Sequence, residues 1–124
     1  EMGETLGDKA PKIFNVNWFR LDENGNFMWP GFGDNMRVLE WIMNRCEGTV
    51  DAKETAIGYV PNADDINLDG LSDFTKADLE KILAVDNVKW AKEAAGAEEF
   101  YTKFGDRLPA ELRAELDALK ARVQ

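Results

Sequence analysis

Ile13-Phe14-Asn15-Val16-Asn17-Trp18-Phe19 alternates in polarity with a period of two, which predicts a β-strand. That period puts Phe14, Val16 and Trp18 on one face and Ile13, Asn15, Asn17 and Phe19 on the other. The first set is the better core face, so Phe19 becomes a large ring among polar neighbours. Downstream, Asp22-Glu23-Asn24-Gly25 is a turn, with Asn-Gly as its hairpin signal. Phe27-Met28-Trp29 reads as a short return strand that Pro30 ends, since proline cannot donate to a ladder.

Outward from this unit the pattern becomes helical. Gly31-Phe32-Gly33 leads into a helix that Asp34 or Asn35 can cap and Gly48 can close, with Val38, Leu39, Ile42, Met43 and Cys46 at apolar positions. Pro61 to Leu71 is a connection rich in Asp, Asn, Gly and Pro. A second helix starts at Thr75, where Thr75-Lys76-Ala77-Asp78 resembles a capping box. A third runs from near Asp86 to about Phe104 and ends at Gly105, with Gly96 inside it. A fourth starts with Pro109 in its first turn and carries Leu112, Leu116, Leu119 and Val123 as a stripe. The expected fold class is α+β: a small β-hairpin unit, then a layer of about four helices. Residues 1–10 read as a poorly ordered lead-in, 11–60 as the β unit, aromatic loop and first helix, and 61–124 as a helical C-terminal region of the same structural unit. The opening Glu1-Met2-Gly3-Glu4-Thr5 reads as a cut edge of a longer protein.

Composition narrows the function. The net charge is −9, from 24 acidic and 15 basic residues, which argues against nucleic acid and anionic membrane surfaces as partners. One cysteine, Cys46, allows no internal disulfide, and with no histidine there is no thiolate or imidazole metal cluster and no imidazole base. There is no apolar run of membrane length and no secretory signal pattern, so the expected location is cytoplasmic.

Chemistry concentrates between Asn17 and Asn35, a stretch with five aromatic residues and three glycines. A planar heteroaromatic ligand is held by ring faces, at about 1–3 kcal/mol per stacked base. Gly31 and Gly33 flank Phe32 and allow close backbone approach. The first-turn N–H groups of the next helix, near Gly33 to Met36, suit a carbonyl acceptor. The plain alternative is an aromatic mini-core around a hairpin.

Three strings resemble the GTP-dependent phosphoenolpyruvate carboxykinase family. Pro11-Lys12-Ile13-Phe14-Asn15-Val16-Asn17-Trp18-Phe19-Arg20 looks like the lead-in to its guanine site, and Phe27-Met28-Trp29-Pro30-Gly31-Phe32-Gly33-Asp34-Asn35 looks like its nucleotide-specificity loop. Ile57-Gly58-Tyr59-Val60-Pro61 resembles a further part of its C-terminal run. The resemblance implies that Phe19 and Phe32 sandwich guanine, that Trp18 and Phe27 wall the pocket, and that Asn35 hydrogen-bonds the base. Gly31, Gly33 and Asp34 would form the supporting loop. It implies a C-terminal part of a larger nucleotide-binding domain, with GTP or GDP and a divalent metal, Mn or Mg, in the intact enzyme. The partners it implies are a guanine nucleotide and the remainder of that enzyme. Four positions depart from the family pattern: Asn15 for His, Leu21 for a basic residue, Met36 for a small polar residue, and Ala56 for proline. The family's phosphate loop ending in Gly-Lys-Thr and its Lys, His and Asp metal ligands are not present, so this segment carries no catalytic or metal-binding residue of its own and needs no cofactor by itself.

Asp65-Ile66-Asn67-Leu68-Asp69-Gly70 imitates the first half of a calcium loop, but its twelfth position is Lys76 where a bidentate carboxylate belongs. The adjacent pairs Asp64-Asp65 and Glu98-Glu99 read as solvated surface, and Trp90, Phe100, Tyr101 and Phe104 as core contacts or a docking face. A non-enzymatic interaction module using the aromatic patch is the rival function.

Overall fold

A computed structural model describes residues 2–124. Its helices are α1 (Met2–Leu6), α2 (Asn35–Glu47), α3 (Lys76–Leu83), α4 (Asn87–Tyr101) and α5 (Ala110–Arg122), and its strands are β1 (Lys53–Thr55) and β2 (Gly58–Val60). This mixture is the expected α+β class. Contacts gather the chain into two compact groups: the residues up to Asp51 with Pro61–Ile82, and Ala52–Val60 with Leu83–Gln124. In the expected poorly ordered lead-in, α1 and a 3-10 turn at Gly7–Lys9 form, with every residue from 2 to 9 exposed.

The strand expected over 13–19 does not form, and the hairpin shrinks to a single bridge between Leu21 and Phe27. A strand needs a ladder partner, and the return segment is cut short at Pro30 while Trp29 turns inward to 7% exposure. The turn itself is well made. Asp22 N–H donates to Asn26 O at 2.8 Å, Met28 N–H to Arg20 O at 2.9 Å, and the Asp22 carboxylate accepts from the Asn24 and Asn26 amides. Those bonds, led by the Asn26 backbone N–H, hold the Asp22 carboxyl below its usual range. The period-two alternation survives without the strand: Phe14, Val16 and Trp18 are half-buried, while Ile13, Asn15, Asn17 and Phe19 are exposed. The antiparallel pair lies instead at Lys53↔Val60, Glu54↔Tyr59 and Thr55↔Gly58.

Helix α2 closes at Gly48 as expected, in the left-handed region at φ 76°. Its buried side differs from the expected stripe. Trp41 is the buried residue, while Leu39, Met43 and Cys46 are exposed. Positions 38, 41, 42 and 45 obey the same i, i+3, i+4, i+7 rule, and the ring of Phe14, edge-on to Trp41 with centroids 6.2 Å apart, selects that register. Around it the first group's core comprises Trp29, Trp41, Ile66, Phe74 and Leu79. Helix α3 begins with the expected capping box: Thr75 N–H donates to Asp78 Oδ2 at 3.1 Å, and Asp78 N–H to Thr75 Oγ1 at 3.4 Å. Arg20 Nη1 donates to the Ile82 carbonyl at 2.7 Å, placing a cation at the C-terminal end of α3.

In the second group, Asp86 caps α4 by accepting from Val88 and Lys89 N–H, and the helix continues through Gly96. It gives way at Tyr101 to 3-10 geometry over Thr102–Arg107, a few residues sooner than expected. The expected α5 stripe is half realised: Leu116 and Val123 are buried and Leu119 is half-buried, but Leu112 is 44% exposed. Arg122 Nε donates to Ala56 O at 2.8 Å, and Lys120 pairs with Glu98 at 2.7 Å. The Lys120 contact lowers the Glu98 pKa.

Candidate functional site

The turn over 20–28 decides which rings meet. It brings Phe27 back beside Phe19, with centroids 6.1 Å apart at 63°, and both stay mostly exposed, at 65% and 73%. Trp18, on the opposite side of the chain, is half-buried and tilts over Trp29 at 6.4 Å. Phe32 begins a 3-10 turn, Phe32–Asp34, and is 92% exposed with no ring partner among the described residues. The expected wall residues therefore split: Phe19 and Phe27 form an exposed pair, Phe32 stands apart, and Trp18 joins the core side. An open depression lies beside them, lined by Phe27, Met28, Trp29 and Pro30 on one side and Gly70 to Phe74 on the other.

The loop between Trp29 and α2 is held from below. Gly31 has φ 132° and ψ −173°, a conformation that side chains resist, so glycine is required there. Gly33 has ordinary backbone, and a Cβ on it would meet nothing within 4 Å, so the fold of this chain does not demand it. Asp34 makes no side-chain cap to α2. Its carboxylate instead accepts from Arg37 Nε at 3.0 Å, while Arg37 Nη1 and Nη2 donate to the carbonyls of Asn67 and Asp69 at 2.8 and 2.9 Å. One guanidinium thus ties the loop to the 67–69 turn, a role the sequence reading missed. Two of the expected free amides are already engaged: Asp34 N–H donates to Gly31 O and Asn35 N–H to Phe32 O. A further donor at the start of α2 is the side-chain amide of Asn35. Its Oδ1 accepts from Trp29 Nε1 at 2.9 Å. Trp29 was legible only as a strand residue, and the signal that it matters is a donor-only ring six positions before an amide.

Several oxygens in and beside the calcium-like loop are engaged. Arg37 takes two carbonyls, Asn62 Nδ2 donates to Asp65 Oδ2 at 2.9 Å, and Asp64 pairs with Lys76, whose pKa that hydrogen bond raises. Among the described residues no group of three His, Cys, Asp or Glu is arranged to hold a metal ion. Among the described residues no helix is long and apolar enough to cross a membrane.

The exposed Phe32 ring and the indole-held amide of Asn35 thus share the segment that leads into α2. The phosphoenolpyruvate carboxykinase C-terminal P-loop domain family matches residues 1–122, and this chain belongs to that family. It is 53% identical over 116 residues to the phosphoenolpyruvate carboxykinase [GTP] of Paenarthrobacter aurescens, covering 94% of this chain and 19% of that protein. It is 53% identical over 121 residues to the Arthrobacter sp. enzyme of the same name, covering 98% and 20%, and 50% identical over 121 residues to that of Treponema pallidum, covering 97% and 19%. The chain therefore spans about a fifth of the length of these relatives.

Proposed function

We propose that this segment supplies the guanine-reading part of a GTP-dependent phosphoenolpyruvate carboxykinase, which converts oxaloacetate and GTP to phosphoenolpyruvate, GDP and carbon dioxide. Phe19 and Phe32 take the two faces of the base, Phe27 and Trp18 wall it, and Asn35 bonds its edge on the Gly31-Phe32-Gly33-Asp34 loop. The observation that carries this reading is the exposure of Phe19, Phe27 and Phe32 in a chain that buries the Trp29, Trp41 and Phe74 rings and half-buries Trp18. Exposed rings cost solvation and contribute little to the fold, so they are free to stack on a ligand. Guanine offers N1–H and an amino group as donors and O6 as acceptor, and a site matched to them leaves adenine's groups unpaired.

The phosphates, the divalent metal and the carboxylate substrate fall to residues outside this segment, within the larger nucleotide-binding domain of the intact cytoplasmic enzyme. Leu39 and Met43, exposed on the outer side of α2, give this segment an apolar face toward that remainder. The chain by itself is therefore inactive as a carboxykinase. The test is GDP titration of a full-length carboxykinase carrying this segment, with Phe19→Ala and Phe32→Ala. Each should weaken binding by about 1–3 kcal/mol, roughly ten- to a hundredfold, with the melting temperature nearly unchanged. Variants that bind GDP as the parent does would sink the pocket and leave the rings as a protein-docking patch.

A further inference from the structure

We propose that Trp29 is a positioning residue: it fixes which way the Asn35 amide faces, and so makes this site select purines carrying a carbonyl, rather than an amino group, at position six. The inference rests on the guanine-pocket reading above and adds to it the origin of the base discrimination.

An asparagine amide is ambiguous by itself. Rotation by half a turn exchanges an acceptor for a donor of almost the same shape, so a lone Asn cannot distinguish O6 of guanine from N6 of adenine. An indole N–H removes the ambiguity because it only donates. Trp29 Nε1 stands 2.9 Å from Asn35 Oδ1, and the reversed amide would set N–H against N–H. The indole cannot yield to such a flip. Trp29 is 7% exposed, its ring lies edge-on to Phe74 at 5.5 Å, and Trp18 leans on it at 6.4 Å.

With Oδ1 engaged, Asn35 Nδ2 is left with two N–H donors and no partner among the described residues. It is not sealed off, since among the described residues the one buried side-chain polar atom without a partner is Trp41 Nε1. The backbone N–H of Asn35 is already used by Phe32 O. What the start of α2 presents is therefore a donor of fixed orientation. A six-oxo purine accepts from it. A six-amino purine would meet it donor to donor and leave both unpaired.

The test compares GDP, IDP and ADP binding to a full-length carboxykinase carrying this segment. Benzothienylalanine at position 29 keeps the bicyclic shape and replaces the N–H with sulfur, so packing is preserved while the donor is lost. Trp29→Phe is the simpler companion. The preference for GDP over ADP should fall about tenfold in both, with IDP following GDP because both carry the six-oxo group. Asn35→Asp, which still accepts from Trp29 but offers no donor, should weaken GDP and IDP and leave ADP unchanged or improved. An unchanged GDP-to-ADP ratio after loss of the indole N–H overturns the proposal. The pocket reading is judged separately by Phe19→Ala and Phe32→Ala, which should weaken all three nucleotides alike. If those variants weaken binding and the position-29 ratio holds, only the role of Trp29 fails; if they leave binding intact, the pocket itself fails.

Discussion

Two pairs of exposed phenylalanines sit in this protein and differ in almost everything but exposure. Phe100 and Phe104 lie four residues apart where α4 gives way to 3-10 geometry, 5.3 Å between centroids, with the Lys103 ammonium 5.2 Å from the Phe100 ring. Helical spacing alone brings them together. Phe19 and Phe27 are eight residues apart and meet only because the 20–28 turn folds back on itself through its own hydrogen bonds. Near the second pair stand a glycine with φ 132°, a fixed amide donor and a buried indole; the first pair has a solvated lysine. Exposure is common to both pairs, and the oriented polar groups beside the second are what give it chemistry.

The sharpest contrast should come from the rings beneath the loop. Trp41→Ala should lower stability by about 3–5 kcal/mol, read as a fall in melting temperature, because a nearly buried ring leaves a cavity. Trp41→Phe should cost far less, since it keeps a ring against Phe14 and removes an N–H that has no partner among the described residues and carries a penalty of about 1–3 kcal/mol. If the phenylalanine variant melts as low as the alanine one, the indole N–H has a partner and that account is wrong.

Next in size is the contrast across the alternating segment. Phe14→Ala should destabilise more than it weakens GDP binding, because Phe14 packs on Trp41. Phe19→Ala should do the reverse, with about 1–3 kcal/mol lost from binding. Equal melting losses for the two would erase the distinction between faces.

A smaller effect tests the capping box. Thr75→Ala should cost about 1 kcal/mol. The Thr75 hydroxyl, then Lys81 and the Thr75 N–H, lower the Asp78 pKa to about 2 from 3.8. A folded pKa below the unfolded one contributes stability that is present above about pH 4 and is lost as pH falls toward 2. Carboxyl NMR titration of Thr75→Ala should therefore show Asp78 moving upward, and an unmoved midpoint would break the assignment. The smallest change belongs to the control pair: Phe100→Ala should alter stability by no more than about 0.5 kcal/mol and leave GDP affinity unchanged. A GDP effect there would place the base elsewhere.

Much of this protein follows from its sequence through local rules. Gly48 closes α2 because only a left-handed residue turns the chain there; Thr75 and Asp78 start α3 by satisfying each other's amides; Asp86 caps α4 for the same reason. Alternation from Ile13 to Phe19 fixes the side each residue takes, since it reflects burial and holds even without a ladder. The resemblance of the 11–35 segment to the carboxykinase family was equally legible, and the family match bears it out. What the sequence could not decide depended on a partner distant along the chain. Strand 13–19 failed because nothing paired with it, while Lys53–Thr55 and Gly58–Val60 found each other. Helix α2 carries apolar residues on two overlapping faces, and the Phe14 ring packs on the one that buries Trp41, although that face also includes Arg45. The direction of the Asn35 amide is likewise invisible in sequence, because its oxygen and nitrogen are interchangeable until a buried indole N–H stands beside them.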